Sequence, residues 1–238
     1  MTEPALRLHQ LVKRHGRATV LDGVDFALAP GELFGLIGVN GAGKTSLLHC
    51  VLDLSAPDAG TITVFGLPHT APAARAPLAY LPERFLPPYF LNGREFLRYM
   101  MTLHGRAYDE TAVAAMLGAL ELDPQALRRT VRDYSKGMTQ KLGLAACLLA
   151  AKPLLVLDEP MSGLDPKASA LLKRQLRAAR DGGAAILMTS HALADVEQLC
   201  DRIGILHNGR LLFCGTPADC RARFGGADLE QAFLACIG

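Results

Sequence analysis

Gly38-Val39-Asn40-Gly41-Ala42-Gly43-Lys44-Thr45 matches the phosphate-binding pattern G-x-x-x-x-G-K-[ST] at every fixed position. Gly38, Gly41 and Gly43 let the backbone wrap closely around an anion and turn several N–H groups into one concavity. Lys44 brings a point charge to the β- and γ-phosphates, and the Thr45 hydroxyl can ligate Mg²⁺. Asn40 and Ser46 complete the polar residues expected to line the loop. Farther on, Asp158-Glu159 follows the apolar run Leu154 to Leu157. There Asp158 can hold Mg²⁺ through water, and Glu159 can polarise a water that attacks the γ-phosphate. An acidic pair after a strand is also what a helix cap produces. Beside the loop at Gly38, it points to binding and hydrolysis of a nucleoside triphosphate.

That chemistry needs a strand before the loop and a helix after it. Leu33 to Ile37 reads as a buried parallel strand, and Lys44 to Leu54 carries the apolar spacing of a helix packed on one face. Such a helix aims its positive end at the phosphates. Val24, Phe26 and Leu28 alternate with Asp25 and Ala27, as in a half-buried antiparallel strand. Pro30-Gly31 then turns the chain into the buried strand. Thr61 to Phe65 is a further strand, whereas Leu67 to Pro77 carries little pattern. Phe85 to Leu91 is an apolar loop stiffened by Pro87 and Pro88. Helices are expected over 93–103 and 109–122, and a longer one after Ser135 running to about Ala151. Strands follow at 154–157 and 184–189, separated by a helix from Pro166 to about Arg180. His191 stands just past the second. Residues 203–206 and 210–213 flank Asn208-Gly209 as a hairpin, and two short helices finish the chain.

The 238 residues suit one large α/β domain, and half of them are hydrophobic, enough for a sizeable core. With 25 basic and 23 acidic side chains the net charge is +2, so electrostatics give no case for nucleic acid as partner. The clusters Lys13-Arg14-His15-Gly16-Arg17 and Arg128, Arg129 and Arg132 read as solvated surface. Six cysteines are scattered without a C-x-x-C pair, which implies a reduced compartment. Met1-Thr2-Glu3-Pro4 has neither the basic nor the apolar region of an export signal. The longest notable apolar run, Leu142 to Ala151, is about half of what a bilayer span needs.

Tyr134-Ser135-Lys136-Gly137-Met138-Thr139-Gln140 alone reads as a turn into a helix capped by Ser135, with Gly137 relaxing the backbone. With this stretch the chain resembles the ATP-binding cassette (ABC) ATPases, which carry a Ser-x-Gly signature upstream of the Asp-Glu strand end. Ser162-Gly163-Leu164-Asp165-Pro166 resembles that family's D-loop, and Thr189-Ser190-His191 its switch-histidine segment. The motifs run in order over roughly Leu6 to Phe213. The resemblance implies an α/β fold with a P-loop NTPase core of mainly parallel sheet, an N-terminal antiparallel β portion and an inserted helical subdomain. In a single domain, 1–238, the core would comprise 1–82 and 152–238, and the helical subdomain about 83–151. It further implies two chains, most simply a homodimer, meeting head to tail around two ATP molecules. Ser135 and Gly137 of one chain would then face Lys44, Thr45, Asp158 and Glu159 of the other. His191 would contact the γ-phosphate and sense its loss, and Asp165 would carry the signal between chains.

Two positions depart from the family. Glu83 stands where a Gln is common; it can still reach Mg²⁺ or the attacking water, but adds negative charge. His15 occupies the position of the aromatic that stacks on adenine, and an imidazole offers less area. A cassette acting on nucleic acid or ribosomes usually has a long insertion or a second cassette, and a P-loop switch of another kind has no use for Ser135. The resemblance therefore favours the ATP-hydrolysing subunit of a transporter, on the cytoplasmic face of the membrane. The short helical lobe resembles the exporter branch, whose permease is a separate chain; Phe85 to Leu91 is the expected docking surface, with internal packing as its alternative.

Overall fold

The computed structural model describes residues 3–238; Met1 and Thr2, where the expected lack of an export signal begins, lie outside it. Two sheets form. Strands β1 (Leu6–His15), β2 (Ala18–Leu28), β4 (Ala59–Val64) and β5 (Leu67–Pro68) make an antiparallel sheet in the order β2-β1-β4-β5. Strands β3 (Leu33–Ile37), β6 (Leu78–Leu81), β7 (Leu154–Leu157), β8 (Ala185–Ser190), β9 (Arg202–His207) and β10 (Arg210–Gly215) make the second, in the order β10-β9-β3-β8-β7-β6. All its pairings are parallel except β9–β10, the hairpin expected at Asn208-Gly209.

The parallel sheet is buried on both faces, which is why its strands read as unbroken apolar runs. Successive residues alternate between two cores with the period of a strand. Phe34, Leu36, Leu154, Val156 and Leu187 face the antiparallel sheet and helix α1 (Lys44–Val51). Leu33, Ile37, Leu155, Leu157 and Met188 face the helices on the other side. Phe26 of β2 stacks on Phe34 of β3 with ring centroids 4.8 Å apart, joining the two sheets.

Helix α2 (Pro72–Arg75) occupies the stretch whose sequence carried little pattern. Between β6 and β7 the chain is helical: α3 (Gly93–Leu103), α4 (Glu110–Ala119), short 3₁₀ turns at Pro124–Arg128 and Val131–Asp133, and α5 (Lys136–Leu149). Both α3 and α4 pack on α5. Asn92 and Glu95 close a reciprocal cap at the start of α3, and Ser135 caps α5. Helix α6 (Pro166–Asp181) begins with a proline in its first turn and is capped by Asp165. Then come α7 (Leu193–Leu199), α8 (Pro217–Phe224) and α9 (Leu229–Ile237).

Two expectations need correcting, and one strand, β1, stands where none was read. Strand β1 escapes the period-2 pattern because Gln10, at φ 48°, sits in a register shift between Leu8 and Leu11, so the buried side is Leu6, Leu8, Leu11. Helix α1 ends at Val51, not Leu54, since Asp53 takes φ 56° and Leu54 is exposed. Phe85 does not belong to an outward-facing surface: its ring meets Phe96 edge-on at 5.6 Å and lies over Gly143. Within the same loop Leu86, Tyr89 and Phe90 are exposed.

Candidate functional site

In a parallel sheet the carboxyl ends of all strands fall on one edge, and here the registers bring four of them level. Ile37 pairs with Ser190, Leu157 with Met188, and Leu81 with Leu157. The segments just past these strands must therefore converge: the phosphate loop after β3, Glu83 after β6, Asp158-Glu159 after β7 and His191 after β8. They line one open cavity of about 770 Å³, which also receives Asn40, Ser46 and Ser190. That volume suits a ligand of nucleotide size.

The loop is held in its curve from beneath. Gly41 and Gly43 have φ of 81° and 109°, a region where a side chain is strained. A Cβ at Gly38 would run into the Leu206 carbonyl, and one at Gly43 would lie 2.7 Å from the Val20 carbonyl. The Asn208-Gly209 turn completes this floor: Gly209 N–H donates to the Ala42 carbonyl at 3.3 Å, and its own carbonyl accepts from Asp22 N–H at 2.8 Å. Lys44 Nζ bridges the loop, donating to the Gly38 carbonyl at 2.6 Å. Helix α1 opens without a side-chain cap or an acidic first turn, leaving its first N–H groups to an anion.

Asp158 is 3% exposed. Burial pushes its carboxyl above the usual carboxylate range, opposed first by its hydrogen bond from Thr189; Glu83 raises it further, and Lys44 and His49 pull it down. Burial, with help from Asp158, also lifts the Tyr80 phenol to about 12. Thr189, read in the sequence only as the start of the switch-histidine segment, has a role of its own that the motif did not give it. Its hydroxyl donates to Asp158 Oδ1 at 2.6 Å and accepts from Glu159 N–H at 2.9 Å, so one side chain of β8 sets both acids. A threonine ending the apolar run Ala185 to Met188 was the available signal. Glu159 holds φ 48°, an uncommon backbone for a non-glycine residue. Its Oε2 lies 2.9 Å from His191 Nδ1.

Hard oxygen donors at Asp158, Thr45 and Glu83 suit Mg²⁺, which takes few protein ligands and otherwise keeps phosphates and water. Among the described residues, no group of three or more His, Cys, Asp or Glu is placed to hold a metal ion by itself.

The remaining expected site residues stand apart. His15 is exposed at the end of β1, with Nε2 3.4 Å from Ser46 Oγ, and does not itself line the cavity. Ser135 and Gly137 are not in the lining either. Ser135 Oγ accepts from Met138 N–H at 3.3 Å, capping the exposed start of α5. That helix is tied to the segment after Glu159: Gln140 donates to the Pro160 carbonyl at 3.0 Å, and Gly137 faces the Gly163 carbonyl.

A family model described as ABC transporter matches residues 21–162. The chain is 37% identical, over 98% of its length and 78% of the relative's, to Nod factor export ATP-binding protein I of Paraburkholderia xenovorans (strain LB400). It is 36% identical to daunorubicin resistance ATP-binding protein DrrA3 of Streptomyces coeruleorubidus, over 97% of this chain and 74% of that one. A solved ATP binding subunit of an ABC transporter superposes with a TM-score of 0.90 and 32% identity, over 98% of this chain and 99% of that one. An ATP-bound bacterial Atm1-family ABC exporter superposes at 0.84 over 98% of this chain and 42% of its own, a likeness of fold alone at 22% identity.

The environment of Asp158 carries a prediction for the ligand-free protein. A carboxyl that holds its proton more tightly when folded costs stability while ionised, and the cost fades as acid protonates it. Asp158→Asn keeps an oxygen for the Thr189 bond and removes the charge. It should melt above wild type at neutral pH, with the gap narrowing as pH falls. Calorimetry across that range checks this; a variant melting lower at neutral pH contradicts it.

Proposed function

The chain belongs to the ABC transporter family, whose ATP-binding subunits hydrolyse ATP to drive transport, and we propose that this one powers an exporter by closing with a second copy of itself around ATP. The observation that carries the reading is the separation of the chemistry. Lys44, Asp158, Glu159 and His191 share one cavity, while the Ser135 end of α5 is exposed elsewhere and anchored to residues 160–163. In a head-to-tail pair that helix end faces the partner's triphosphate and brings its N-terminal N–H groups to the γ-phosphate.

Within the site Lys44 and the first-turn amides of α1 hold the phosphates, while Gly38, Asn40, Gly41, Gly43 and Ser46 shape the cradle. His15 stacks on the base. Thr45, Asp158 and Glu83 hold Mg²⁺, which when bound neutralises triphosphate charge. Glu159 takes the proton of the attacking water, and His191, paired with it at 2.9 Å, keeps that carboxylate aimed and meets the γ-phosphate. Asp165, whose side chain caps α6 by accepting from Ala168 N–H at 2.9 Å, carries the signal between the two chains.

The helical part, about 83–151, serves as a subdomain on the core formed by 1–82 and 152–238. Its exposed Leu86, Tyr89 and Phe90 dock a separate membrane permease on the cytoplasmic face. No helix among the described residues is long and apolar enough to cross a membrane. Export is favoured because relatives bear export and resistance names.

A shared site predicts complementation. Lys44→Ala and Ser135→Arg should each hydrolyse almost no ATP alone and regain turnover when mixed, because one composite site is whole in the mixed pair. Mixtures as inactive as their components would count against the shared site. Glu159→Gln should slow hydrolysis by roughly 10²–10⁴-fold with ATP affinity retained; near-normal turnover removes the role given to Glu159. Leu86→Asp with Tyr89→Asp should leave ATP binding intact and abolish co-purification with the permease. Undiminished co-purification would move the docking surface elsewhere.

A further inference from the structure

We propose that the helical hairpin α8–α9 is a brace that sets His191 against Glu159, and that Phe233 and Glu197 are its positioning residues; the proposal rests on the shared-site reading of the function. His191 is 71% exposed at its side chain and is paired with Glu159. A ring with so little around it is placed by the backbone that carries it. That backbone leads within two residues into α7, which is seven residues long and has no side-chain cap at its N-terminus. A helix of that length does not hold itself together in water, so its attitude comes from what it packs on.

The packing is supplied by the end of the chain. Glu197 of α7 uses both carboxylate oxygens on the hairpin: Oε1 pairs with Arg221 of α8 at 2.9 Å, and Oε2 accepts from Leu229 N–H, the first residue of α9, at 3.2 Å. One side chain thus clips α7 to both helices. On the apolar side Val196 and Leu199 are buried in the same core as Leu229, Ala232 and Phe233. Phe233 is only 8% exposed, yet it lines the phosphate-site cavity together with Leu193, two residues past His191. The hairpin is itself anchored to the sheet, since Phe213 of β10 meets Phe224 of α8 edge-on at 5.9 Å. A continuous packed path therefore runs from β10 through α8 and α9 to the residues that bear His191.

The full chain tests this with Phe233→Ala, Phe233→Leu and Glu197→Gln, each alone and with His191→Ala. Phe233→Ala should lower kcat for ATP by about 10- to 100-fold, the scale of a small misplacement in a catalytic group. The Kd of a fluorescent ATP analogue should stay within about twofold in Glu197→Gln, since Glu197 does not line the cavity. Phe233→Leu should recover most of the loss, and Glu197→Gln should lose kcat in the same sense. With His191→Ala already present, Phe233→Ala should cost little more, since neighbours acting through one group are not additive. Hydrogen exchange over residues 191–199 in the nucleotide-free protein should quicken in Phe233→Ala and Glu197→Gln. An unchanged kcat, or the same fold-loss with and without His191, overturns the brace. If Phe233→Ala does not fold, Glu197→Gln decides: normal turnover with unaltered exchange is equally fatal. A wild-type chain that bound ATP without hydrolysing it would fail the site reading itself, and the exchange data would still judge the mechanical link.

Discussion

The site depends on keeping Asp158 charged where little water reaches it. A buried carboxylate is tolerated only when hydrogen bonds and nearby cations replace its hydration. Here the Thr189 hydroxyl supplies the bond and Lys44 an opposing charge, yet the carboxyl still titrates above its usual range. Several other features answer to this. Thr189 can reach Asp158 only because β7 and β8 run parallel in a register that leaves Leu157 beside Met188. That register is held by apolar side chains on both faces of the sheet, and a slip of one residue would turn each of them to the wrong core. Packing of the sheet and electrostatics of the site are thus one problem.

Much of this was legible from residue order. The phosphate loop, the apolar strand before it and the acidic pair after Leu157 are local patterns, and each reflects a local physical requirement. A sheet covered on both faces demands runs such as Leu33 to Ile37, and its wet edge demands polar residues immediately after them. Ser135 was readable as a cap for the same reason, because the hydroxyl and the amide it serves are three residues apart.

What escaped the reading was set by partners distant in sequence. Thr189 matters because of two acids about 30 residues away, each visible only once strands are paired. Strand β1 hid because Gln10 shifts the buried side by one residue, turning an alternating pattern into an irregular one. The loop from Phe85 to Leu91 is uniformly apolar, and composition cannot say which residues turn inward; Phe96 and Gly143, on two different helices, draw Phe85 in and leave Tyr89 and Phe90 outside. Helix α7 was missed because seven residues carry too little period to register, and because its support lies at the far end of the chain.

The Asn208-Gly209 turn has a geometric consequence. By bonding at once to Ala42 of the phosphate loop and to Asp22 of β2, it rivets the loop to the antiparallel sheet whose neighbouring strand ends at His15. In the proposed reading a bound nucleotide touches both places, its base at His15 and its phosphates in the loop. On that reading the distance a ligand must bridge is set by the fold of the two sheets.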